Sequence, residues 1–276
     1  VAQCFGAKKT DRMRHYVAMS IYLCVIFALV MTVGLALANE PILRMMNYSE
    51  EILPSVKSYM KIIYLGLIVT IAYNALSAFL RALGDSRSPL YFLMISAGMN
   101  VVLDIVLIVC VGMGVEGCAY ATVIAQAVSA LLCFFYIVKK YPILHLHRED
   151  FHYSWNSVKK LLGLGIPMAL QFSITAIGTI VVQGAVNVYG ETYMAGFSAA
   201  GKLQNIVATV FVAFGATVAT YVGQNRGAGR LDRVRQGVRC TQYMILGWSV
   251  LAMLLMFFFG KYMTWLFVSP SQTEVI

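Results

Sequence analysis

One acidic side chain, Asp104, lies deep inside an uncharged run of the sequence, with polar residues placed at helical spacing before it. Ser96, Asn100 and Asp104 are four residues apart, so they share one face of a helix. If this run crosses a membrane, a charge there costs at least about 2.5 kcal/mol and commonly marks an ion or proton pathway. Asp104 could exchange a proton, or it could bind Na⁺ together with the Asn100 amide oxygen. A structural acid bonded to neighbouring helices is the alternative interpretation.

The next apolar run carries Thr122 and Gln126, again four residues apart. We expect Thr122 to extend a cation-coupling site formed by Asn100 and Asp104, and Gln126 to lie near it in a substrate cavity. Hydrogen bonds between helices would explain both residues equally well.

Two later runs carry polar residues that could line the same kind of cavity. Gln171 and Thr175 are four residues apart and follow Pro167, which can bend a helix or mark its start. Lys202 and Asn205 share one helical face, where an ammonium group would repel cationic compounds or respond to the charge of a coupling ion. Snorkelling of Lys202 to the outer membrane interface is the rival explanation.

These residues must be positioned by elements that face lipid. The chain is 60% apolar and only 12% charged, whereas a soluble domain needs about 25% charged residues. Seven uncharged runs are each long enough to cross a hydrocarbon core about 30 Å thick. They cover residues 17–38, 56–80, 90–111, 115–138, 158–189, 192–222 and 240–260. We therefore predict an all-α, polytopic transmembrane helix bundle, with the turn residues Asn39, Glu40 and Pro41 ending its first span.

Basic residues are concentrated in every second loop of the chain. Of 21 Lys and Arg residues, sixteen lie in one set of alternate loops, four lie in the opposite set, and Lys202 lies inside a span. This asymmetry predicts that residue 1 is cytoplasmic. All four histidines fall on the same side, where solvated loops explain them. The net charge of +9 forms no continuous patch, so we expect no nucleic-acid partner. The six scattered cysteines suggest neither disulfides nor a metal site, and we interpret them as packing residues.

An internal repeat organises the chain. Residues 1–17 align without gaps to residues 222–238, and eight of the 17 positions are identical, including a Q-x-x-G-A motif in each copy. Six spans separate the copies, which indicates two six-helix lobes in parallel repeat, both incomplete in this chain. The predicted division is a first lobe over 1–138, a cytoplasmic linker over 139–157 and a second lobe over 158–276. We expect Gly6 and Gly227 to supply the turn geometry that other residues would strain.

Four further segments make the chain similar to the multidrug and toxic compound extrusion (MATE) family. The resemblance rests on their order along the chain, together with the two Q-x-x-G-A turns. The segments are Arg81-Ala-Leu-Gly-Asp-Ser-Arg-Ser-Pro89, Asn100-Val-Val-Leu-Asp104, Gly114-Val-Glu-Gly-Cys-Ala-Tyr-Ala-Thr122 and Gly165-Ile-Pro167. The resemblance implies that the chain covers about helices three to nine of twelve.

The resemblance also implies a function: export of organic, often cationic, compounds in exchange for Na⁺ or H⁺. In the family, the residues matching Asn100 and Asp104 belong to a cation site in the first lobe. That site also uses an acid from the first helix, which this chain does not contain. Some branches of the family place a Glu near Thr175, so the Thr there argues against a second cation site.

Three other function classes are less consistent with the sequence. A membrane-embedded enzyme would need clustered acids, histidines or a nucleophile within the bilayer. A channel would need polar rings around a pore, which one Asp does not supply. A lipid-linked saccharide flippase of the same superfamily would carry several basic residues in its cavity, against Lys202 alone. We therefore expect a bacterial plasma-membrane transporter that is no enzyme, is monomeric when full-length, and uses no cofactor besides its coupling ion.

Overall fold

The computed structural model describes residues 1–45, 52–188 and 190–264. Within these residues the chain folds into eight α-helices and has no β-strand. The helices are α1 (Ala2–Gly6), α2 (Thr10–Met45), α3 (Leu53–Ala82), α4 (Arg87–Ile105), α5 (Gly114–Lys140), α6 (Trp155–Asn187), α7 (Glu191–Gly227) and α8 (Leu231–Thr264). Seven of them are long and apolar enough to cross a membrane. The prediction of an all-α bundle with seven spans is therefore confirmed.

The predicted end of the first span is wrong. Helix α2 runs through Asn39, Glu40 and Pro41 and reaches Met45. Contacts with α3 support this extension: the Asn39 amide donates to the Lys57 carbonyl oxygen at 3.3 Å, and the Lys57 ammonium lies 3.5 Å from the Glu40 carboxylate. Tertiary packing here outweighs the local tendency of Asn and Pro to end a helix.

The third span is also less regular than its uniform apolar sequence indicates. Helix α4 ends at Ile105 and continues as one π-helical turn over Val106–Cys110. Single π-helical turns occur frequently at functional sites. This one begins two residues after Asp104, so it sets the position of the C-terminal end of the span relative to that acid.

The chain divides into two compact units, residues 1–158 and 159–276. In the first unit, α3 packs against α2 and α5, and α5 also packs against α4. Its core lies at the end of the bundle where α2 starts and where α3 and α5 finish. This core includes the fully buried side chains of Met13, Leu80 and Cys133. The Cys133 thiol thus acts as an apolar packing group, as predicted.

The segment predicted as a linker forms two 3₁₀ turns, Pro142–Leu144 and Arg148–Phe151. The second turn contacts α2 through a hydrogen bond and an ion pair. His15 Nδ1 lies 3.2 Å from the Asp150 carbonyl oxygen, and Nε2 lies 3.1 Å from Ser157 Oγ. Because a carbonyl oxygen only accepts, Nδ1 carries the proton in this contact. The Arg14 guanidinium adds an ion pair, with its Nε 3.4 Å from Asp150 Oδ2. His15 is therefore a bridging residue, and its assignment to a solvated loop was wrong.

In the second unit, α7 and α8 form an antiparallel pair. The Trp248 indole of α8 donates to the Val207 carbonyl oxygen of α7 at 3.3 Å. Gly237 of α8 lies against the Tyr221 ring so closely that a Cβ there would be 2.3 Å from Tyr221 Cε1. Side chains along most of α6 are exposed.

The two Q-x-x-G-A turns have the same backbone geometry. Three hydrogen bonds in the first turn each have a counterpart 221 residues later, with N···O distances of 2.9–3.1 Å. They are Ala7 N to Gln3 O, Lys8 N to Phe5 O and Lys9 N to Cys4 O in the first turn, and Ala228 N to Gln224 O, Gly229 N to Arg226 O and Arg230 N to Asn225 O in the second. The sequence repeat is therefore also a repeat of local structure.

The expectation about Gly6 and Gly227 is wrong, because each is the last residue of a helix. The left-handed residue of each turn comes two positions later, at Lys8 (φ +56°) and Gly229 (φ +72°). The motif ends a helix, and the residue after its Ala reverses the chain.

Candidate functional site

The site is built on the contact between α4 and α5, which run antiparallel. Near the start of α4, Ser129 Oγ of α5 donates to the Phe92 carbonyl oxygen at 3.0 Å. One turn further, Ser96 Oγ donates to the Ala125 carbonyl oxygen at 2.6 Å. Both serines are buried. Moving four residues forward along α4, from Phe92 to Ser96, therefore corresponds to moving four residues back along α5, from Ser129 to Ala125. Ser96 has a structural role in this contact between α4 and α5.

Two more steps along the same face of α4 lead to Asn100 and Asp104. Both side chains are partly buried. Asn100 Nδ2 and Asp104 Oδ1 are each enclosed and have no hydrogen-bond partner within the described parts of the protein. Buried polar atoms in native proteins almost always have a partner, so an enclosed atom that the described chain leaves unbonded is a candidate contact for an ion or a water molecule. The predicted pair therefore lies on one helical face, and one polar atom of each side chain has no hydrogen-bond partner in the described chain.

Helix α5 supplies the opposite side. The Thr122 hydroxyl donates to the Cys118 carbonyl oxygen of its own helix at 3.0 Å, so its lone pairs stay available to a cation. Gln126 Oε1 is a third enclosed atom of this kind. Among the described residues, the other such atoms are Arg14 Nε and Asn39 Oδ1, so three of the five belong to predicted site residues.

Cys118 is a neighbour of this site that sequence reasoning missed. Its thiol interacts with the Asp104 carboxyl group across the α4–α5 seam. We assigned Cys118 to packing, although it lies four residues before Thr122 and so begins the stripe that continues to Gln126. That spacing was the available signal. The spacing could not show that the thiol lies beside Asp104, because that contact depends on how α4 and α5 pack against each other.

The donors present suit a proton or a hard monovalent cation. Within residues 1–45, 52–188 and 190–264, no three His, Cys, Asp or Glu side chains form a group that could hold a metal ion. A hard cation takes carboxylate, amide, hydroxyl and carbonyl oxygens instead. Asp104 and Gln126 each offer an oxygen that no group of the described chain bonds. The chemistry therefore fits reversible protonation or a transported Na⁺.

The remaining predicted residues belong to the second unit. Gln171 and Thr175 are exposed on α6, and the Thr175 hydroxyl donates to the Gln171 carbonyl oxygen at 3.0 Å. Lys202 and Asn205 are exposed on α7. The Asn205 carbonyl oxygen accepts a bond from the Thr209 hydroxyl at 2.8 Å. Their assignment to a substrate cavity stays a prediction.

Comparison with known proteins decides the family. The MatE family model matches residues 1–106 and 167–275, which is most of the chain. The chain belongs to the MatE family. The resemblance inferred from its motifs is confirmed, and family and seven apolar helices together identify an integral membrane protein.

The named relatives of this MatE chain are longer proteins. "Probable multidrug resistance protein YpnP" of Bacillus subtilis is 31% identical over 235 residues, which cover 85% of this chain and 52% of the relative. An "FAD transporter" of Shewanella oneidensis is 25% identical over 237 residues, covering 84% of this chain and 52% of the relative. The chain thus spans about half the length of these relatives.

Solved structures agree with the fold. A structure described as the outward-facing conformation of a multidrug resistance MATE family transporter superposes with a TM-score of 0.92 at 20% identity. The match covers 99% of this chain and 61% of that one. At this identity the likeness establishes that the MatE chain has the MATE fold.

Proposed function

We propose that the chain is part of an ion-coupled antiporter that exports small organic compounds, often cationic, by alternating access. The observation that carries this proposal is the pair of enclosed oxygens without a hydrogen-bond partner in the described chain, Asp104 Oδ1 and Gln126 Oε1. Membership of the MatE family and the multidrug-resistance name of one relative support export as the direction. The coupling ion is Na⁺ or H⁺, and no other cofactor and no enzymatic reaction are proposed.

The proposed mechanism follows from the cost of burying a charge. A charged carboxylate inside a membrane span is unfavourable until a proton or Na⁺ neutralises it. In this scheme Asp104 binds the ion, while Asn100 and Thr122 supply oxygens if the ion is Na⁺. Ion binding shifts the transporter between conformations only as far as the ion prefers one of them. The π-helical turn next to Asp104 is the element through which we expect this preference to reach the outer end of the span.

For the whole protein we propose twelve helices in two six-helix lobes, of which this chain covers helices three to nine. In this scheme residues 1–138 belong to the first lobe, 139–157 to the linker and 158–276 to the second lobe. The repeated turns support this proposal because equivalent hydrogen bonds recur at a constant offset of 221 residues. The 52% share of the relatives' length agrees with it. We propose that the whole protein is a monomer.

The proposed orientation of the chain in the membrane rests on the distribution of its Lys and Arg residues. Sixteen of 21 basic residues lie in one set of alternate loops, and the positive-inside rule assigns that set to the cytoplasm. We therefore propose that residue 1 is cytoplasmic and that the membrane is the bacterial plasma membrane.

A lipid-linked saccharide flippase is the weaker candidate. It would need several basic residues in the cavity, and Lys202 is the one Lys or Arg deep inside an apolar run of the sequence. The cavity we propose contains Lys202, Asn205, Gln171 and Thr175. Since one relative is named an FAD transporter, a substrate panel must include an anionic dinucleotide beside organic cations.

The decisive experiment compares wild type with Asp104→Asn in the full-length protein reconstituted into liposomes. Drug efflux is measured under an imposed Na⁺ gradient and, separately, under a pH gradient. Glu116→Gln is the matched control, because it removes an acid from the start of α5, a different position in the same bundle. We expect Asp104→Asn to insert normally and to lose ion-driven efflux, while Glu116→Gln retains it.

The gradient that drives wild-type efflux identifies the ion. Normal efflux with normal ion dependence in Asp104→Asn would refute the coupling site. Equal loss of activity in both variants would show a general effect of removing acid side chains, and would also count against Asp104.

A further inference from the structure

A second site lies at the opposite end of α4 from Asp104. A cavity of about 820 Å³ opens where the turn between α3 and α4 meets the end of α5. Its lining includes Asp85, Arg87, Tyr91, Tyr136 and Lys140. Arg87 is the first residue of one membrane span and Lys140 is the last residue of the next. The cavity is therefore at the level where both spans leave the hydrocarbon.

The one acid in the lining is already satisfied by the protein. Asp85 Oδ1 accepts from the Ser88 amide at 3.0 Å, and Oδ2 accepts from the Ser88 hydroxyl at 2.7 Å. The Tyr141 and Tyr136 hydroxyls donate to Oδ2 at 2.8 and 3.2 Å. Burial raises the pKa of Asp85, but these hydrogen bonds outweigh it and hold the pKa below its ordinary value. Asp85 is ionised and needs no ion pair.

Tyr141 remains a donor throughout the physiological range. Burial and then its hydrogen bond to Asp85 raise the pKa of Tyr141 to about 12. The hydrogen bonds from Ser88, Tyr136 and Tyr141 to the Asp85 carboxylate therefore connect the α3–α4 turn to the end of α5.

Within the described residues, neither cation of the lining forms an ion pair with a carboxylate, although the Asp85 charge acts on the Lys140 ammonium. Lys140 is exposed, its Nζ donates to the Tyr136 hydroxyl at 2.5 Å, and it lies 4.9 Å from the centroid of the Tyr136 ring. These contacts hold the ammonium beside the cavity. Arg87 is exposed, and in the described part of the chain it forms no ion pair. The lining thus carries two cations and one carboxylate, and this excess of positive charge favours an incoming anion.

The surroundings indicate which anion. Tyr91 lies one turn into α4 from Arg87, and the residue is 59% exposed near the start of the span. Tyrosine is enriched at this interfacial level because its ring is apolar and its hydroxyl is wet. The cavity is far larger than a phosphate ion needs, and basic pockets between spans on the cytoplasmic side bind anionic headgroups. An anion with an apolar tail fits cations and aromatic ring together.

We propose that this cavity binds the phosphate headgroup of an anionic phospholipid, with Arg87 and Lys140 as its cationic ligands and Tyr91 against the glycerol and first acyl carbons. The cytoplasmic leaflet, and with it the comparison with basic pockets on that side, rests on the proposed orientation. The site is independent of ion coupling, because Arg87 and Asp104 are 17 residues apart on α4, about 26 Å at 1.5 Å per residue.

Native mass spectrometry of the purified protein tests this site. The protein is titrated with phosphatidylglycerol and, as the zwitterionic control, phosphatidylcholine with the same acyl chains. We expect phosphatidylglycerol to bind about tenfold to thirtyfold more tightly, the ratio that two cations near a membrane surface supply. The double variant Arg87→Gln, Lys140→Gln should bring this ratio close to one.

Two further variants keep the test interpretable. Lys159→Gln with Lys160→Gln removes the same charge from exposed positions outside the cavity, and should keep the wild-type ratio. Arg87→Lys with Lys140→Arg keeps both charges and should also retain it, which separates lost ligands from altered packing. Inorganic phosphate at millimolar concentration should not displace the lipid.

Three results would overturn the proposal. The first is a wild-type ratio near one. The second is a ratio that falls equally in the control double variant, which would indicate general charge attraction. The third is displacement by millimolar inorganic phosphate, which would indicate a site for a soluble anion. None of these measurements depends on transport, so a negative result would leave the role of Asp104 open.

Discussion

Exchanging the left-handed residues of the two Q-x-x-G-A turns tests the structural repeat directly. The first turn places Lys8 at φ +56° and the second places Gly229 at φ +72°, with equivalent hydrogen bonds around them. A residue with a Cβ pays about 1–2 kcal/mol in this conformation. Glycine avoids that cost but loses about 0.5–1 kcal/mol more conformational entropy on folding.

The difference between these two terms sets the expected effect. Lys8→Gly should raise the free energy of unfolding by about 0.5–1 kcal/mol, and Gly229→Lys should lower it by a similar amount. Packing does not interfere at either position. Lys8 is exposed, and a Cβ built on Gly229 has no heavy atom within 4 Å. The sign of each change therefore reports the backbone conformation alone.

Thermal unfolding of the purified protein in detergent, followed by tryptophan fluorescence, measures both variants. For a chain of this size the expected shifts in Tm are about 1–3 °C, upward for Lys8→Gly and downward for Gly229→Lys. Arg12→Gly is the matched control: Arg12 is exposed within α2 and has no positive φ, so glycine there should destabilise the protein. Destabilisation by Lys8→Gly as large as that by Arg12→Gly would refute the reasoning, and so would a neutral Gly229→Lys.

Two further stability predictions come from the first unit. Gly66→Ala should lower Tm, because its Cβ would lie 2.4 Å from Cγ2 of Val123 and overpacking by about 1–3 kcal/mol exceeds the roughly 1 kcal/mol gained by replacing a helical glycine. Val123→Ala should restore Tm in that background, and a stabilising Gly66→Ala would contradict the packing. Asp85→Asn should destabilise the protein by about 1–2 kcal/mol at neutral pH, since one amide oxygen cannot replace two carboxylate oxygens. Because the folded-state pKa of Asp85 is lowered, the wild type loses this advantage as the pH falls below the ordinary range for Asp; a difference independent of pH would refute the charge-based explanation.

Helical periodicity was enough to predict the central part of the candidate site. Residues four apart share a helical face whatever surrounds the helix, so the spacing alone was sufficient to group Asn100 with Asp104. The seven spans were predictable for a similar reason, because the length of an apolar run is a property of the sequence. Which residues of α5 lie opposite this face of α4 depends on how the two helices pack. The contact of Cys118 with Asp104 was therefore missed.

The errors share a physical cause. The end of α2 was placed at a local turn signal, whereas contacts of Asn39 and Glu40 with α3 accompany a helix that continues past Pro41. Likewise, the Gly of each Q-x-x-G-A motif suggested the reversal point, although the left-handed residue follows the motif. The local preference of a residue for or against a helix is about 1 kcal/mol. A few tertiary contacts together contribute more free energy than that.

The sequence by itself determined the class, the span count, the repeat offset and the acid at Asp104, because hydropathy, periodicity and identity are read along the chain. Tertiary structure alone decided that Asp104 Oδ1 is enclosed without a partner among the described residues, that a π-helical turn follows it, and that Asp85 ties the α3–α4 turn to the end of α5. Burial and hydrogen bonding depend on groups far apart in sequence. They become defined only when α4 and α5 pack.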